Sequence, residues 1–333
     1  MLSVIQKKPK ILVEAQKAKF MPSFGIQVLI FFALLIITSI AQVIPLFIAM
    51  FFKTFQAVMN QEINPYDTQS VMGFTADMQG GNTLITLFAT VLTTVLVVLY
   101  CRFIEKRSLY SMGFTKKNAF GQYMIGLLVG FVMFGACLLI ALASGSLQYN
   151  GFTLGNSYGL LLGFLLGFVL QGMSEEVFLR GYFMMSVASK NSILLAVISN
   201  SVIFAILHLL NPGVTFLSVV NLILFGLFAS VYTLKTNNIW GICALHTIWN
   251  FAQGNLFGIL VSGLETEVSV LSFQPVGTST LINGGAFGLE GGLAVTIVLI
   301  ISTLVVLKLP GKEIITPDVN GADIQSPPQA SAT

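Results

Sequence analysis

The sequence predicts an all-α, polytopic membrane protein with about eight transmembrane helices, and three observations carry that expectation. Hydrophobic side chains make up 55% of the 333 residues and charged ones only 9%, with a mean hydropathy of +0.88; soluble globular chains carry about 25% charge. Apolar runs of roughly 20 residues, the length that crosses a hydrocarbon core about 30 Å thick, recur along the chain. Lysine and arginine gather in alternate connections between those runs. The same composition excludes disorder or coiled coil for the chain as a whole, and a net charge of +3 spread this thinly gives no nucleic-acid signature.

Residues 1–25 hold Lys7, Lys8, Lys10, Lys17 and Lys19 and form an expected cytoplasmic segment. The apolar stretch behind them is longer than a signal-peptide core, so the segment is expected to be retained. Apolar runs then fall at about 26–51, 82–101, 123–143, 160–188, 191–210, 214–234, 238–262 and 286–307, separated by Gly, Pro or Asn, as at Asn211-Pro212-Gly213. Residues 26–106 thus form two N-terminal spans joined by a polar outer loop over 53–81, and 264–309 an outer loop with the last span. Residues 310–333, with Pro317, Pro327 and Pro328 among small polar residues, are expected to be a disordered cytoplasmic tail.

Orientation follows from the positive-inside rule. With an even number of spans and the N-terminus inside, the inner segments collect fourteen of the sixteen Lys and Arg residues, whereas the outer ones keep only Lys53 beside Glu62, Asp67, Asp77, Glu265 and Glu267. Cys101, Cys137 and Cys243 lie far apart in apolar surroundings, as packing residues do. Gly126, Gly130, Gly163, Gly167 and Gly172 recur near helical spacing, the mark of closely packed membrane helices. Asn200, Asn221 and Gln253 are expected to hydrogen-bond between helices.

Between Asn118 and Leu264 the only ionisable acids and bases away from predicted helix ends are Glu175, Glu176 and Arg180. An ionisable residue at a helix centre costs about 2.5–3.5 kcal/mol on insertion scales, so three on one span call for compensation within the bundle. Glu176 and Arg180, four apart, can pair on one face. Glu175 lies about 100° further round and requires another partner or a wet cavity. Both histidines of the chain, His208 and His246, fall inside predicted spans, and Asn250 shares a face with His246. At 1.5 Å per residue, Glu175, His208 and Asn250 come to roughly 22, 25 and 18 Å above the inner ends of their spans and His246 to about 12 Å. A carboxylate and an imidazole that deprotonate a water, with an imidazole and a carboxamide as oxyanion donors, suit the hydrolysis of an acyl bond.

In that order, Glu175-Glu176-Val-Phe-Leu-Arg180, Phe204-x-x-x-His208 and His246-x-x-x-Asn250 resemble the motifs of the CAAX-protease and bacteriocin-processing (CPBP, or Abi) family of intramembrane glutamic endopeptidases, which includes the Ras-converting enzyme type. Arg107-Ser-Leu-Tyr-Ser-Met-Gly-Phe114 resembles the segment that opens the family's core, which would here span 107–263. The resemblance implies a membrane peptidase without a cofactor, acting on a peptide or protein within a bilayer. Glu175 and His208 would activate water, His246 and Asn250 would form the oxyanion hole, and Glu176 and Arg180 would support the site, with Phe204 as a wall beside His208. A multi-pass protein of a bacterial plasma membrane, with both termini cytoplasmic, fits best.

Three other readings remain open on the sequence. Glu175, His208 and His246 are a possible zinc set, although the helical H-E-x-x-H spacing is absent. Gly155-x-Ser157-x-Gly159 satisfies a serine-nucleophile pattern, yet its place in an outer loop suits a helix cap better. A non-catalytic scaffold or bacteriocin-immunity protein would use the polar cluster for packing alone.

Overall fold

The structure, a computed structural model, describes residues 8–80, 83–277 and 280–309. The expected tail at 310–333 and Lys7 lie outside them. In chain order the helices are α1 (Lys10–Ala15), α2 (Phe24–Met59), α3 (Thr68–Gly80), α4 (Thr83–Ala89), α5 (Val91–Phe103), α6 (Ala119–Ala143), α7 (Tyr158–Glu176), α8 (Met185–Lys190), α9 (Ile193–Leu207), α10 (Phe216–Thr236), α11 (Trp240–Phe251), α12 (Thr280–Asn283) and α13 (Leu293–Lys308). Two strands, β1 (Leu147–Phe152) and β2 (Leu271–Pro275), pair antiparallel with Leu147 opposite Pro275 and a bulge between Tyr149 and Gly151. The chain is therefore mostly helical, as expected, with one small two-stranded ribbon.

Among the described residues, five helical stretches are long and apolar enough to cross a membrane: Phe24–Met59, Thr83–Phe103, Ala119–Ala143, Tyr158–Lys190 and Phe216–Thr236. Ile193–Leu207 and Leu293–Lys308 are apolar but shorter, and α11 is shorter still. Each expected run contains a helix, but three are trimmed by turn-forming residues. The run at 191–210 stops at Leu207, ahead of Asn211-Pro212-Gly213. There Gly213 adopts φ +73°, and a Cβ would meet the Ala286 backbone at 2.5 Å. The run at 238–262 ends in a wide π turn over Ala252–Leu256, and the chain turns away at Gly258. The last helix begins only after a glycine-rich turn at 284–292. In the opposite direction, α2 continues past 51 to Met59, and α3 occupies much of the expected polar loop. Ser157 stands at the start of α7 but makes no capping hydrogen bond through its side chain, and its motif lies away from the polar cavity.

α11 runs through the middle of the bundle, packed against α6 and α7. Glycine permits that approach: a Cβ on Gly126 would stand 2.0 Å from the Gly241 carbonyl oxygen, and one on Gly172 would stand 2.9 Å from the Thr247 amide nitrogen. α9 packs on α10, and Asn200 on the first donates to Ser230 Oγ on the second at 2.9 Å, the interhelical role expected of it. All three cysteines are buried and free.

α7 does not stop at Glu176. It continues as a π-helical segment, Val177–Met184, into α8, making one stretch of 33 residues. At its far end Ser186 donates to both oxygens of Glu105 at 2.8 and 3.0 Å, and Arg107 Nε lies 2.6 Å from Glu105 Oε2. Arg107 Nη2 also reaches Ser186 Oγ and Cys101 Sγ, both at 3.2 Å. Both ionised side chains are buried, so each depends on the other. Burial raises the Glu105 carboxyl above the ordinary carboxylate range, and Arg107 and Ser186 pull it back down. Arg107→Ala strands Glu105 and is expected to cost about 3–5 kcal/mol of stability. Thermal unfolding in detergent checks this, and a variant as stable as the wild type refutes the latch.

Candidate functional site

The sequence places Glu175 and Glu176 consecutively at the end of α7, about 100° apart around the axis, and the structure gives them different surroundings. Glu176 is fully buried, and its Oε1 accepts from Arg180 Nη1 at 2.9 Å and from His246 Nδ1 at 2.9 Å. The expected i, i+4 pair thus forms across the start of the π segment. The link from Glu176 to His246 was not legible in the sequence. Arg180 Nε and Nη2 have no hydrogen-bond partner. Its guanidinium instead lies over the ring of Phe204 at 4.9 Å and nearer the edge of reach of Phe225 at 5.9 Å, contacts that stabilise a desolvated cation.

Glu175 is partly exposed and faces a cavity of about 380 Å³. Gln171, one turn earlier on α7, donates its Nε2 to Glu175 Oε1 at 2.5 Å. Glu175 Oε2 has no hydrogen-bond partner and stands 3.8 Å from His246 Nε2. Asn250, one turn beyond His246 on α11, donates Nδ2 to Gln171 Oε1 at 3.1 Å. His246 Nδ1–H is committed to the Glu176 carboxylate, so its Nε2 is the atom turned toward Glu175.

His208 departs from expectation in one respect. It is the residue that ends α9 rather than one within the helix, because the chain turns at 208–213. Its Nδ1 lies 2.8 Å from the Phe204 carbonyl oxygen. A carbonyl only accepts, so Nδ1 carries the proton and Nε2 keeps its lone pair. Phe204 packs 4.7 Å from the His208 ring and 6.3 Å from that of His246, which makes it the expected wall. Glu175, His208, His246 and Asn250 all line the one cavity, while Glu176 and Arg180 lie behind it.

Two participants were missed in the sequence. Gln171 is the one polar residue between Leu160 and Met173, and that isolation was its only signal. Glu290 sits in the turn before α13. Its Oε1 accepts from Trp249 Nε1 at 3.2 Å, and its Oε2 accepts from Ser262 N and Oγ, both at 2.7 Å. Glu290 therefore ties α11 to the loop whose Val261, Ser262 and Leu264 line the cavity. Asn221, expected to bond between helices, does so to the Glu290 and Gly292 carbonyls and also lines the cavity. The opposite wall comes from α2, α4 and α5 through Thr38, Gln42, Thr86, Thr90 and Thr93.

Among the described residues, no group of three or more His, Cys, Asp or Glu side chains is arranged to hold a metal ion. Glu175, His208 and His246, the set named by the zinc alternative, line the same cavity, with His246 Nδ1 engaged by Glu176 and His208 Nδ1 by a backbone carbonyl.

Residues 157–252 match the model of the Rce1-like family, described as type II CAAX prenyl endopeptidase Rce1-like. The match bears out the family resemblance drawn from the three motifs, all of which lie inside it. No curated protein and no solved structure matches the chain.

Removing Arg180 leaves a buried carboxylate with His246 alone. Arg180→Met is expected to destabilise the protein by about 3–5 kcal/mol, and Glu176→Gln in the same chain to restore part of the loss. Unfolding transitions of the single and double variants in detergent test this, and a double variant less stable than Arg180→Met sinks the pairing argument.

Proposed function

We propose that the chain is an intramembrane endopeptidase that hydrolyses a peptide bond with water activated by Glu175 and His208. The observation that carries the proposal is the single cavity lined by Glu175, His208, His246 and Asn250, with the Glu175 side chain partly exposed. The family match to a peptidase supports it.

On this reading a water lies between the Glu175 carboxylate and His208 Nε2, both acceptors. One of them takes a proton as the water oxygen attacks the carbonyl carbon, and the proton is later delivered to the leaving amine. The carbonyl oxygen becomes an oxyanion held by Asn250 Nδ2–H and by His246 Nε2–H. The latter donation requires the imidazolium, whose other proton stays on the Glu176 side. No step requires a cofactor. The apolar walls from Leu35, Phe168, Leu207 and Leu222 suit an apolar segment of peptide or protein taken from the bilayer. The chain would lie in a bacterial plasma membrane with both termini cytoplasmic, as the lysine and arginine bias favours.

Glu175→Gln is expected to lower the rate by about 10²–10⁴-fold, the range of general base catalysis. Asn250→Ala should lower it by about 10²–10³-fold, as loss of one oxyanion donor does. Membranes from cells expressing wild type or Glu175→Gln at matched levels, compared by mass spectrometry of protein termini, provide the test. Termini confined to the wild type support the proposal and identify substrates. Indistinguishable sets, with any phenotype intact in the variant, replace it with a scaffold.

A further inference from the structure

Gln171 belongs to none of the three motifs and yet touches two of them. It lies one turn before Glu175 on the same face of α7, the only polar side chain in its stretch of Gly, Leu, Phe, Val and Met. A carboxamide in such a setting requires partners. Its two polar atoms find them on different helices: Nε2 at Glu175 Oε1, 2.5 Å away on α7, and Oε1 at Asn250 Nδ2, 3.1 Å away on α11.

The polarity of this chain of hydrogen bonds is dictated by chemistry. A carboxylate can only accept, so the Gln171 amide must turn its NH₂ group to Glu175. The Gln171 carbonyl oxygen then faces Asn250 and can only accept, so Asn250 must turn its own NH₂ group inward. The carboxylate at one end thereby selects one of two amide orientations at the other. One Asn250 N–H is spent on Gln171, and the second is left for the cavity. At the near end, Gln171 occupies Glu175 Oε1, while Oε2 is buried without a hydrogen-bond partner.

We infer that Gln171 is a positioning residue that couples the Glu175 carboxylate to the Asn250 carboxamide, holding Asn250 as a donor and fixing the rotation of the Glu175 carboxylate. The inference rests on the proposed endopeptidase reading and assigns to it a residue outside the motifs. The arrangement survives the reaction. When the Glu175 carboxylate takes the proton released as a water O–H bond breaks, Oε1 still has a lone pair to accept from Gln171, so Asn250 remains a donor while negative charge resides on the substrate oxygen.

The test uses purified full-length variants in detergent with proteins extracted from Glu175→Gln membranes as substrate pool, following the wild-type-dependent termini over time. Gln171→Met keeps the length of the side chain without its hydrogen bonds, and Gln171→Glu keeps its shape but removes the donor to Glu175. Each is expected to lower the rate by about 10–100-fold, below the effect of deleting an oxyanion donor outright, with the unfolding transition unchanged. Combined with Asn250→Ala, either should lose at least about fivefold less than the product of the two single losses, because the pair acts as one unit. A purely structural glutamine would give multiplicative losses. Folded Gln171→Met or Gln171→Glu within about threefold of the wild-type rate, or multiplicative losses, overturns the role of Gln171. A wild type no more active than Glu175→Gln overturns the endopeptidase reading itself, and this inference with it.

Discussion

Glu176 is a carboxylate with no exposure to solvent, and Arg180 and His246 both reach the same oxygen of it at 2.9 Å. In a low-dielectric interior, removing either partner leaves charge without compensation, so the positions of the helices that carry them are constrained together. Arg180 extends the constraint by resting on Phe204, the residue whose carbonyl engages His208. One buried carboxylate thus connects the three sequence motifs, although it does not itself line the cavity. Glu175, the next residue back, is turned by the helical advance toward the space these contacts enclose.

The helix that carries this cluster is held at its other end by a second buried group, Glu105 with Arg107 and Ser186. Between them lies the π-helical segment, a wider turn that is costly in isolation and frequent at functional sites. Two polar anchors some ten residues apart on one apolar helix fix both its depth and its rotation, which hydrophobic contact alone does not do. Glu290 performs a related task by joining Trp249 to the loop at Ser262. The cavity is therefore bounded by polar braces, while its walls are largely apolar.

The charged and polar residues of the site were legible because the surrounding sequence is so poor in them. Glu175, Glu176, Arg180, His208, His246 and Asn250 stood out in a stretch with almost no other titratable group, and the i, i+4 pairing of Glu176 with Arg180 followed from helical geometry. Gln171 and Glu290 escaped notice because uncharged amides are common in membrane helices and because the glycine-rich turn around Glu290 was taken for part of a span. His208 was expected within a helix and caps one instead, since Asn211-Pro212-Gly213 ends the helix earlier than hydropathy suggests.

The sequence by itself determined the membrane setting, the order of the apolar helices and the identity of the motif residues, because each depends on composition and spacing along one chain. Only the tertiary structure decided which partner each polar atom takes: His246 with Glu176, Asn250 with Gln171, Glu290 with Trp249 and Ser262. Those pairings join residues up to 79 positions apart, and they are fixed by glycine contacts that let α11 approach α6 and α7 and by the π turns that end or widen helices. Hydropathy depends on how apolar a stretch is and is blind to how a helix is rotated about its axis, and rotation decides which side chains meet.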